Sequence, residues 1–319
     1  MADIAPSGID ETWERKVIEK VALAAIQEQR RARLWGIFFK LLLFMYLVVL
    51  LVVGLGWMGK KDGGAAKHTA LVEVRGVIAP ESAASADNVM SGLQDAFKDK
   101  RTQGVVIRIN SPGGSPVQAG HINDEIRRLR AKHPDIPVYA VVEDICASGG
   151  YFVAVAADKI YINQSSILGS IGVRMDGFGF TGTMEKLGVE RRLLAAGENK
   201  GFLDPFLPLQ EVHKEHAAQM LSAIHQQFIK VVKEGRGKRL KETPDMFSGL
   251  LWVGAKNIEM GLADALGGAD YVAREIIKAE DIVDFTPREN IAERVAKRFG
   301  AAMAEALLQF GAAGGMRVR

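Results

Sequence analysis

The chain has 319 residues, of which 48% are hydrophobic and 25% are charged, and its formal net charge is +3 at pH 7. This length accommodates one large domain or two small ones, and so small a positive charge does not favour nucleic acid as a partner. The single cysteine, Cys146, excludes an internal disulfide.

An apolar run near the N-terminus predicts a transmembrane helix. The only charged residue within Leu34–Met58 is Lys40, and a helix of this length crosses ~30 Å of hydrocarbon. Trp35 and Trp57 lie near its ends, where aromatic rings favour the membrane interface. One alternative is a buried core helix, for which the run is too long and too apolar. Another is a cleaved signal peptide, for which residues 1–33 form too long a leader.

The charges that flank this run predict its orientation. Basic residues lie on both sides of it: Arg30, Arg31, Arg33 and Lys40 towards the N-terminus, and Lys60, Lys61 and Lys67 beyond it. The bias favours a cytoplasmic N-terminus and a large domain outside. The expected order is a cytoplasmic segment with a short amphipathic helix (1–33), a transmembrane helix (34–58) and a flexible tether (59–68).

Beyond the tether, apolar runs alternate with amphipathic segments. Strands are predicted over Ala70–Ile78, Gly104–Ile109, Val138–Val142 and Lys159–Ile162, and helices over Ala84–Lys98, Pro116–Ala131, Gly149–Ala157 and Leu207–Glu234. Such alternation is typical of α/β architecture. Spacing alone does not distinguish a doubly wound sheet from other α/β arrangements.

Two glycine-rich turns, Asn110–Gly114 and Ala147–Tyr151, each follow a predicted strand and precede a stretch that can begin a helix. One such turn can aim backbone N–H groups at a developing oxyanion. The other can present a serine hydroxyl at a helix N-terminus, where the helix dipole favours negative charge. Together they predict an acyl-transfer site.

Ser148 is the candidate nucleophile of this site. A serine ahead of a helix is most often an N-cap, but the second glycine-rich turn favours catalysis. Candidate oxyanion donors are the backbone N–H groups of Gly113, Gly114 and Gly149. Cys146 lies two residues before Ser148, and for it we favour the role of a small buried residue over that of a nucleophile.

A serine hydroxyl needs a general base. The chain has six histidines: His68, His121, His133, His213, His216 and His225. His121, which follows the first turn, is the only one that the sequence places near the site, and its alternative role is that of a surface residue. Lysine is the other candidate base, since Ser–Lys pairs are a recognised variant.

Further motifs follow the two turns in a fixed order: Ser165–Val173, Ala196–Lys200, Asp204–Phe206, Phe247–Gly249 and Gly261–Asp264. In this order and spacing the chain resembles the signal peptide peptidase family, the SppA-like S49 peptidases. The resemblance implies an S49-like serine protease domain (69–277), built as a Clp protease/crotonase-like spiral of ββα units and present in one copy. A C-terminal extension (278–319) then carries an amphipathic helical pattern over Ile291–Phe310.

The resemblance also implies a catalytic dyad of Ser148 and Lys200, with Ser170 hydrogen-bonded to the lysine amine. A lysine in water has a pKa of ~10.4 and is protonated at neutral pH. Burial must therefore disfavour the charged form of any lysine that serves as a base.

The residues around Lys200 are mixed in character. Phe202, Leu203 and Phe206 are expected to desolvate it. Glu198 stands where better-known members of the family carry a lysine. We expect Glu198 to point away, because a carboxylate nearby would stabilise the charged amine.

The implied function is that of a single-pass serine endopeptidase in the bacterial plasma membrane, acting on remnant signal peptides or other short apolar peptides. The resemblance further implies a closed ring, of eight chains, in which the dyad is completed across subunits. No P-loop or His-Glu-x-x-His zinc motif occurs, so no cofactor or metal is expected.

One rival is a catalytically inactive membrane scaffold, which the intact Ser148 and Lys200 disfavour. A second rival, a crotonase-like acyl-CoA enzyme, would need a cytoplasmic domain.

Overall fold

The computed structural model describes residues 11–58 and 66–287 of the chain. The chain divides into two compact units, Met1–Ala65 and Ala66–Arg319. Most of the predicted tether and the predicted helix over Ile291–Phe310 lie outside the described residues.

One uninterrupted helix, α1 (Glu11–Met58), makes up the described part of the first unit. Its 48 residues correspond to about 72 Å of helix, against ~30 Å for the hydrocarbon core of a bilayer. The predicted amphipathic segment and the predicted transmembrane segment are parts of this one helix, because no proline interrupts a run rich in good helix formers. Within the described chain, α1 alone has the length and composition of a membrane span: an 18-residue window inside Arg15–Leu51 has a mean hydropathy of 2.4.

A single sheet organises the described part of the second unit. Its eight strands are β1 (His68–Arg75), β2 (Thr102–Ser111), β3 (Val138–Ala147), β4 (Lys159–Ile162), β5 (Ile167–Gly169), β6 (Leu251–Val253), β7 (Ala265–Leu266) and β8 (Ile282–Asp284). The order is β6-β5-β3-β2-β1-β8, with β4 paired to β3 and β7 paired to β4. All pairs are parallel except β5 with β6. This confirms the predicted α/β class and is consistent with the Clp protease/crotonase-like fold.

The described part of the second unit also contains seven helices. They are α2 (Ala86–Lys98), α3 (Pro116–Lys132), α4 (Gly149–Ala154), α5 (Thr181–Lys186), α6 (Glu211–Arg236), α7 (Ala255–Glu259) and α8 (Ala269–Tyr271), with a 3-10 turn at Gly237–Arg239 and a π-helical turn at Val272–Ile277. The serine hydroxyls of Ser85 and Ser115 cap α2 and α3, each accepting a hydrogen bond from a backbone N–H of the first turn. Local sequence therefore fixes where both helices begin.

Both faces of the central strands are buried, and each of these strands has an apolar stretch, Val105–Ile107 in β2 and Val138–Val142 in β3. In β2, Ile107 and Ile109 belong to the larger core, which also includes buried residues of α2, α3, α4 and α6. Val106 points to the other face, where Val272 of the π-helical turn helps to cover it. Truncating a fully buried isoleucine such as Ile107 to alanine would cost about 2–5 kcal/mol of stability.

A buried ion pair ties the end of α6 to the segment before β7. Arg236 is 1% exposed and its guanidinium donates two hydrogen bonds to the carboxylate of Asp264, at 2.8 and 2.9 Å. Burial acts to raise the pKa of Asp264, but the hydrogen bonds and charge of Arg236, together with the Ile160 N–H and the charge of Arg239, outweigh it, so the net shift is downward. The Gly261–Asp264 motif therefore has a structural role, which is to hold the end of α6 against the sheet domain.

Several boundaries differ from the predictions, and three of these differences affect how the sheet is built. His68, predicted in the tether, is the buried first residue of β1 and lies 3.4 Å from the hydroxyl of Thr102. β3 continues past the predicted end at Val142, because the backbone of its last three residues pairs with β5. β8 pairs with β1 beyond residue 277, so the folded domain extends past its predicted end.

Candidate active site

Ser148 lies in the sharp turn between β3 and α4. Its backbone has φ 51° and ψ −120°, a left-handed conformation that is strained for a residue with a side chain. The turn is held by two hydrogen bonds: the Ser148 N–H donates to the Gly169 carbonyl at 2.9 Å, and the Phe152 N–H donates to the Ser148 carbonyl at 3.0 Å. Ser148 occupies the N-cap position, but its side chain makes no capping bond. The N-cap alternative would require the hydroxyl to accept a hydrogen bond from the first turn of the helix. It accepts none, so the hydroxyl has no capping role here.

The first glycine-rich turn packs directly against Ser148. A Cβ on Gly113 would lie 2.8 Å from the Cβ of Ser148 and 2.7 Å from the nitrogen of Gly149. A Cβ on Gly114 would lie 2.1 Å from the carbonyl oxygen of Ile78. The two turns that the sequence singled out thus meet, and only glycine permits so close an approach.

The three predicted oxyanion donors differ in what they bind. The N–H of Gly113 donates to the Ser111 hydroxyl at 3.1 Å, and that hydroxyl donates to the Gly76 carbonyl at 2.6 Å. Among the described residues, the N–H groups of Gly114 and Gly149 have no such acceptor. A Cβ on Gly149 would lie only 3.2 Å from the Gly114 nitrogen. These two neighbouring N–H groups are the ones free to bind an oxyanion in this conformation.

The alternative nucleophile and base have the surroundings of structural residues. Cys146 is fully buried in the larger core, and burial raises the pKa of its thiol far above the ordinary range. His121 lies on the exposed side of α3. Neither shows an arrangement that suits catalysis.

Ser170 follows Gly169, the residue whose carbonyl accepts from the Ser148 N–H. It is half-buried and also has a left-handed backbone, with φ 50°. Its N–H donates to the Leu250 carbonyl at 2.7 Å. The structure thus brings Ser170 to the nucleophile turn.

Lys200 lies in a different environment. It is exposed, in a loop of consecutive turns between α5 and α6. Phe206, expected to cover it, stacks on Phe180 instead, with ring centroids 5.4 Å apart. Within the described chain, no hydrogen bond or ion pair joins Lys200 to Ser148, Ser170 or Glu198. A single chain therefore does not desolvate the predicted base.

Helix α6 is attached to both halves of the candidate site. Near its start, the His213 ring Nε2 lies 3.1 Å from Asn199 Oδ1 in the lysine loop. Further along, the His225 ring Nε2 lies 3.1 Å from the Ile171 carbonyl, next to Ser170. About 18 Å of helix axis separates these two histidines. The sequence singles out neither histidine, because a position on a long helix carries no signal of what the side chain contacts.

The segment around Lys200 exposes many large apolar side chains. Leu194 is 96% exposed, Phe178 81% and Leu187 72%. An apolar surface of this kind is typical of an interface with another protein or a membrane. Among the described residues, no group of three or more His, Cys, Asp or Glu side chains is arranged to hold a metal.

Comparisons with known proteins bear on the family of the chain. The family described as "Peptidase family S49" matches residues 130–282. A candidate protease of Methanocaldococcus jannaschii is 31% identical over 218 residues, which cover 67% of this chain and 69% of that protein. A candidate signal peptide peptidase SppA of Enterococcus faecium is 27% identical over 234 residues, covering 71% of this chain and 67% of that protein.

A Brucella melitensis protein named Na(+)/H(+) antiporter NhaA has a higher identity over a shorter stretch. It is 48% identical over 175 residues, or 55% of this chain, but the match spans only 24% of that protein. The antiporter name describes that longer protein.

Proposed function

The chain belongs to peptidase family S49, and from that membership we propose that it is a membrane-anchored serine endopeptidase with Ser148 as nucleophile and Lys200 as general base. The strained, uncapped Ser148 beside two free N–H groups carries the proposal. Backbone strain of this kind persists where the surrounding structure holds a side chain for chemistry.

The proposed reaction follows from this arrangement. The Ser148 Oγ attacks the peptide carbonyl carbon while the neutral amine of Lys200 takes the hydroxyl proton. The oxyanion that forms is bound by the N–H groups of Gly114 and Gly149. When the C–N bond breaks, Lys200 returns the proton to the leaving amine. The same lysine then takes a proton from water, the hydroxide attacks the acyl carbon, and the lysine returns that proton to the Ser148 Oγ as the ester C–O bond breaks.

The base in this scheme is supplied by a neighbouring subunit. Lys200 is exposed in the single chain, and about 18 Å of α6 separates the attachment points of the two halves. A second copy docked on the apolar surface around Leu194 and Phe178 would cover the lysine and bring it to the next subunit's Ser148. Head-to-tail contacts of this kind close into rings, and a ring of eight chains remains our prediction.

The proposed substrates are remnant signal peptides or other short apolar peptides at the membrane. The Enterococcus relative bears a signal peptide peptidase name, and α1 has the length and composition of a membrane span. A tethered site can reach substrates that remain in the bilayer. The flanking charges favour a cytoplasmic N-terminus and a protease domain outside.

Mixing two inactive variants tests the proposal. Ser148→Ala and Lys200→Ala chains, carrying different affinity tags, are purified alone and as mixed oligomers, and hydrolysis of a fluorogenic apolar peptide is measured. Each variant alone should be inactive, whereas random mixing should restore about a quarter of wild-type activity, because some interfaces then hold an intact serine and an intact lysine.

Two outcomes would contradict parts of the proposal. Mixed oligomers without activity would place the dyad within one chain. Wild-type protein that neither hydrolyses peptides nor is labelled by a fluorophosphonate at Ser148 would favour the inactive membrane scaffold. The same labelling of wild type and of Ser148→Ala is the control for site specificity.

A further inference from the structure

His213 is an unusual residue in its part of the chain. From Gly172 to Gln227 it is the only buried residue, with an exposed fraction of 5%. Histidine is a costly residue to bury unless its ring nitrogens are satisfied. Its neighbours on α6, Val212 and Lys214, are exposed. The burial of His213 therefore calls for a specific contact.

That contact is with the loop that carries Lys200. The His213 Nε2–H donates to the Asn199 side-chain oxygen at 3.1 Å. The same ring meets Phe202 edge to face, with centroids 5.3 Å apart. Asn199 and Phe202 lie on either side of Lys200, so one imidazole holds the loop on both sides of the lysine.

The loop needs such a contact because its backbone is strained. Gly197 has φ +100°, and Leu203 has φ 54° although it carries a side chain. Among the described residues, the backbone hydrogen bonds of the turn are short-range, such as those from the Lys200 N–H to the Gly197 carbonyl and from the Phe202 N–H to the Asn199 carbonyl. Without an outside anchor, such a segment would sample several conformations.

We propose that His213 is a positioning residue, which fixes the loop so that the Lys200 amine is presented in one place to Ser148. The catalytic part of this inference rests on the proposed role of Lys200 as the base. A displacement of a reacting group by about 1 Å can cost about 100-fold in rate. Loss of the contact to Asn199 and Phe202 should therefore lower kcat and leave KM nearly unchanged.

Three variants of the full-length oligomer separate the hydrogen bond from the ring packing. His213→Phe keeps an aromatic ring but has no donor, and it should lower kcat about 10- to 100-fold with KM changed less than about twofold. His213→Gln restores an N–H donor at a similar reach and should recover kcat to within about threefold of wild type. His216→Phe is the matched control: His216 is exposed, its ring centroid lies 5.7 Å from that of Phe202, and within the described chain it makes no hydrogen bond to the loop, so the kcat of this variant should be unchanged.

Hydrogen exchange of the amides in residues 197–203 gives a readout that does not depend on activity. His213→Phe should accelerate exchange there, while His213→Gln and His216→Phe should not. Unchanged exchange and unchanged kcat in His213→Phe would overturn the proposal, as would a His213→Gln variant as impaired as His213→Phe.

The two readouts also distinguish this proposal from the proposed function. If Lys200→Ala keeps full activity, the assigned base is wrong and His213 has no catalytic role. Faster exchange in His213→Phe would then show only that the loop is anchored.

Discussion

Ser148 and Lys200 differ in almost every aspect of their surroundings. Ser148 sits at the end of a buried parallel strand, with a strained backbone and packed glycine turns around it. Lys200 sits in an exposed loop within a segment whose apolar side chains face solvent. One half of the candidate site is preorganised by the core of its own chain, and the other half is a surface loop in which His213 contacts the residues on both sides of the lysine.

This difference shows which contacts hold each half of the site in its conformation. Strain at Ser148 persists because the sheet and the glycine turns over-determine its conformation. The Lys200 loop has no comparable core beneath it, so its final environment depends on what covers the segment. Substitutions in the two regions should therefore have different effects on stability even where they have the same effect on activity.

The largest expected effect is on catalysis. Ser148→Gly and Lys200→Ala should each lower kcat/KM by roughly three to four orders of magnitude or more. Their stabilities should differ: glycine adopts φ 51° without strain, so Ser148→Gly should gain about 1 kcal/mol, whereas Lys200→Ala should be neutral because the side chain is exposed. Urea unfolding measures both. A Ser148→Gly variant less stable than wild type would contradict the strain argument.

Replacing a glycine by alanine in each region should give the next largest effect, which is a loss of stability. Gly114→Ala would place a Cβ 2.1 Å from the Ile78 carbonyl oxygen at φ +150°, and it should cost about 3 kcal/mol or more along with the oxyanion site. Gly197→Ala, at φ +100° with nothing within 4 Å, should cost only the backbone strain of about 1–2 kcal/mol. Thermal unfolding of the two variants compares them, and equal losses would remove the distinction between the regions.

Acid should destabilise the sheet domain through its buried and paired carboxylates. A hydrogen bond from Arg101 lowers the pKa of Asp99 from 3.8 to about 2, and the Arg236 pair lowers that of Asp264. A folded pKa below the unfolded one adds stability that is present above the unfolded pKa and is lost as pH falls. The free energy of unfolding should therefore decrease between pH 3.8 and about 2. Asp99→Asn should flatten this decrease, and an unchanged profile in that variant would assign the acid sensitivity elsewhere.

The smallest expected effect on stability is at the exposed apolar segment. Leu194→Ala, at a side chain 96% exposed, should change the free energy of unfolding by less than about 0.5 kcal/mol. Leu93→Ala, fully buried in α2, should cost about 2–5 kcal/mol. Analytical ultracentrifugation should nevertheless show weaker self-association for Leu194→Ala. Unchanged association would place the subunit interface elsewhere.

The sheet and the nucleophile turn were predictable because their signals are local. Apolar strands such as Val105–Ile109 and turns such as Asn110–Gly114 specify their own conformation, and parallel strands bring their carboxyl ends to one edge. The meeting of Gly113 with Ser148 follows from that topology.

What the sequence did not reveal depends on distant contacts. The hydroxyl of Ser111 occupies the N–H of Gly113, and no spacing predicts which of several neighbouring glycines stays free. The anchoring of the lysine loop by His213 joins residues on different elements. The exposure of Lys200 was also unpredictable, because the cover expected from Phe206 is used to stack on Phe180.

The pairing of β1 with β8 has a consequence for biosynthesis. The hydroxyl of Thr69 donates to the Ala279 carbonyl at 2.7 Å, a contact 210 residues apart in the chain. At a translation rate of 5–20 residues per second, about 10–40 s pass between synthesis of the two partners. During that interval one edge of β1 is unpaired, and an unpaired strand edge can pair with another chain and lead to aggregation. We expect a chain truncated before Ile282 to aggregate at a lower concentration than a chain that includes β8.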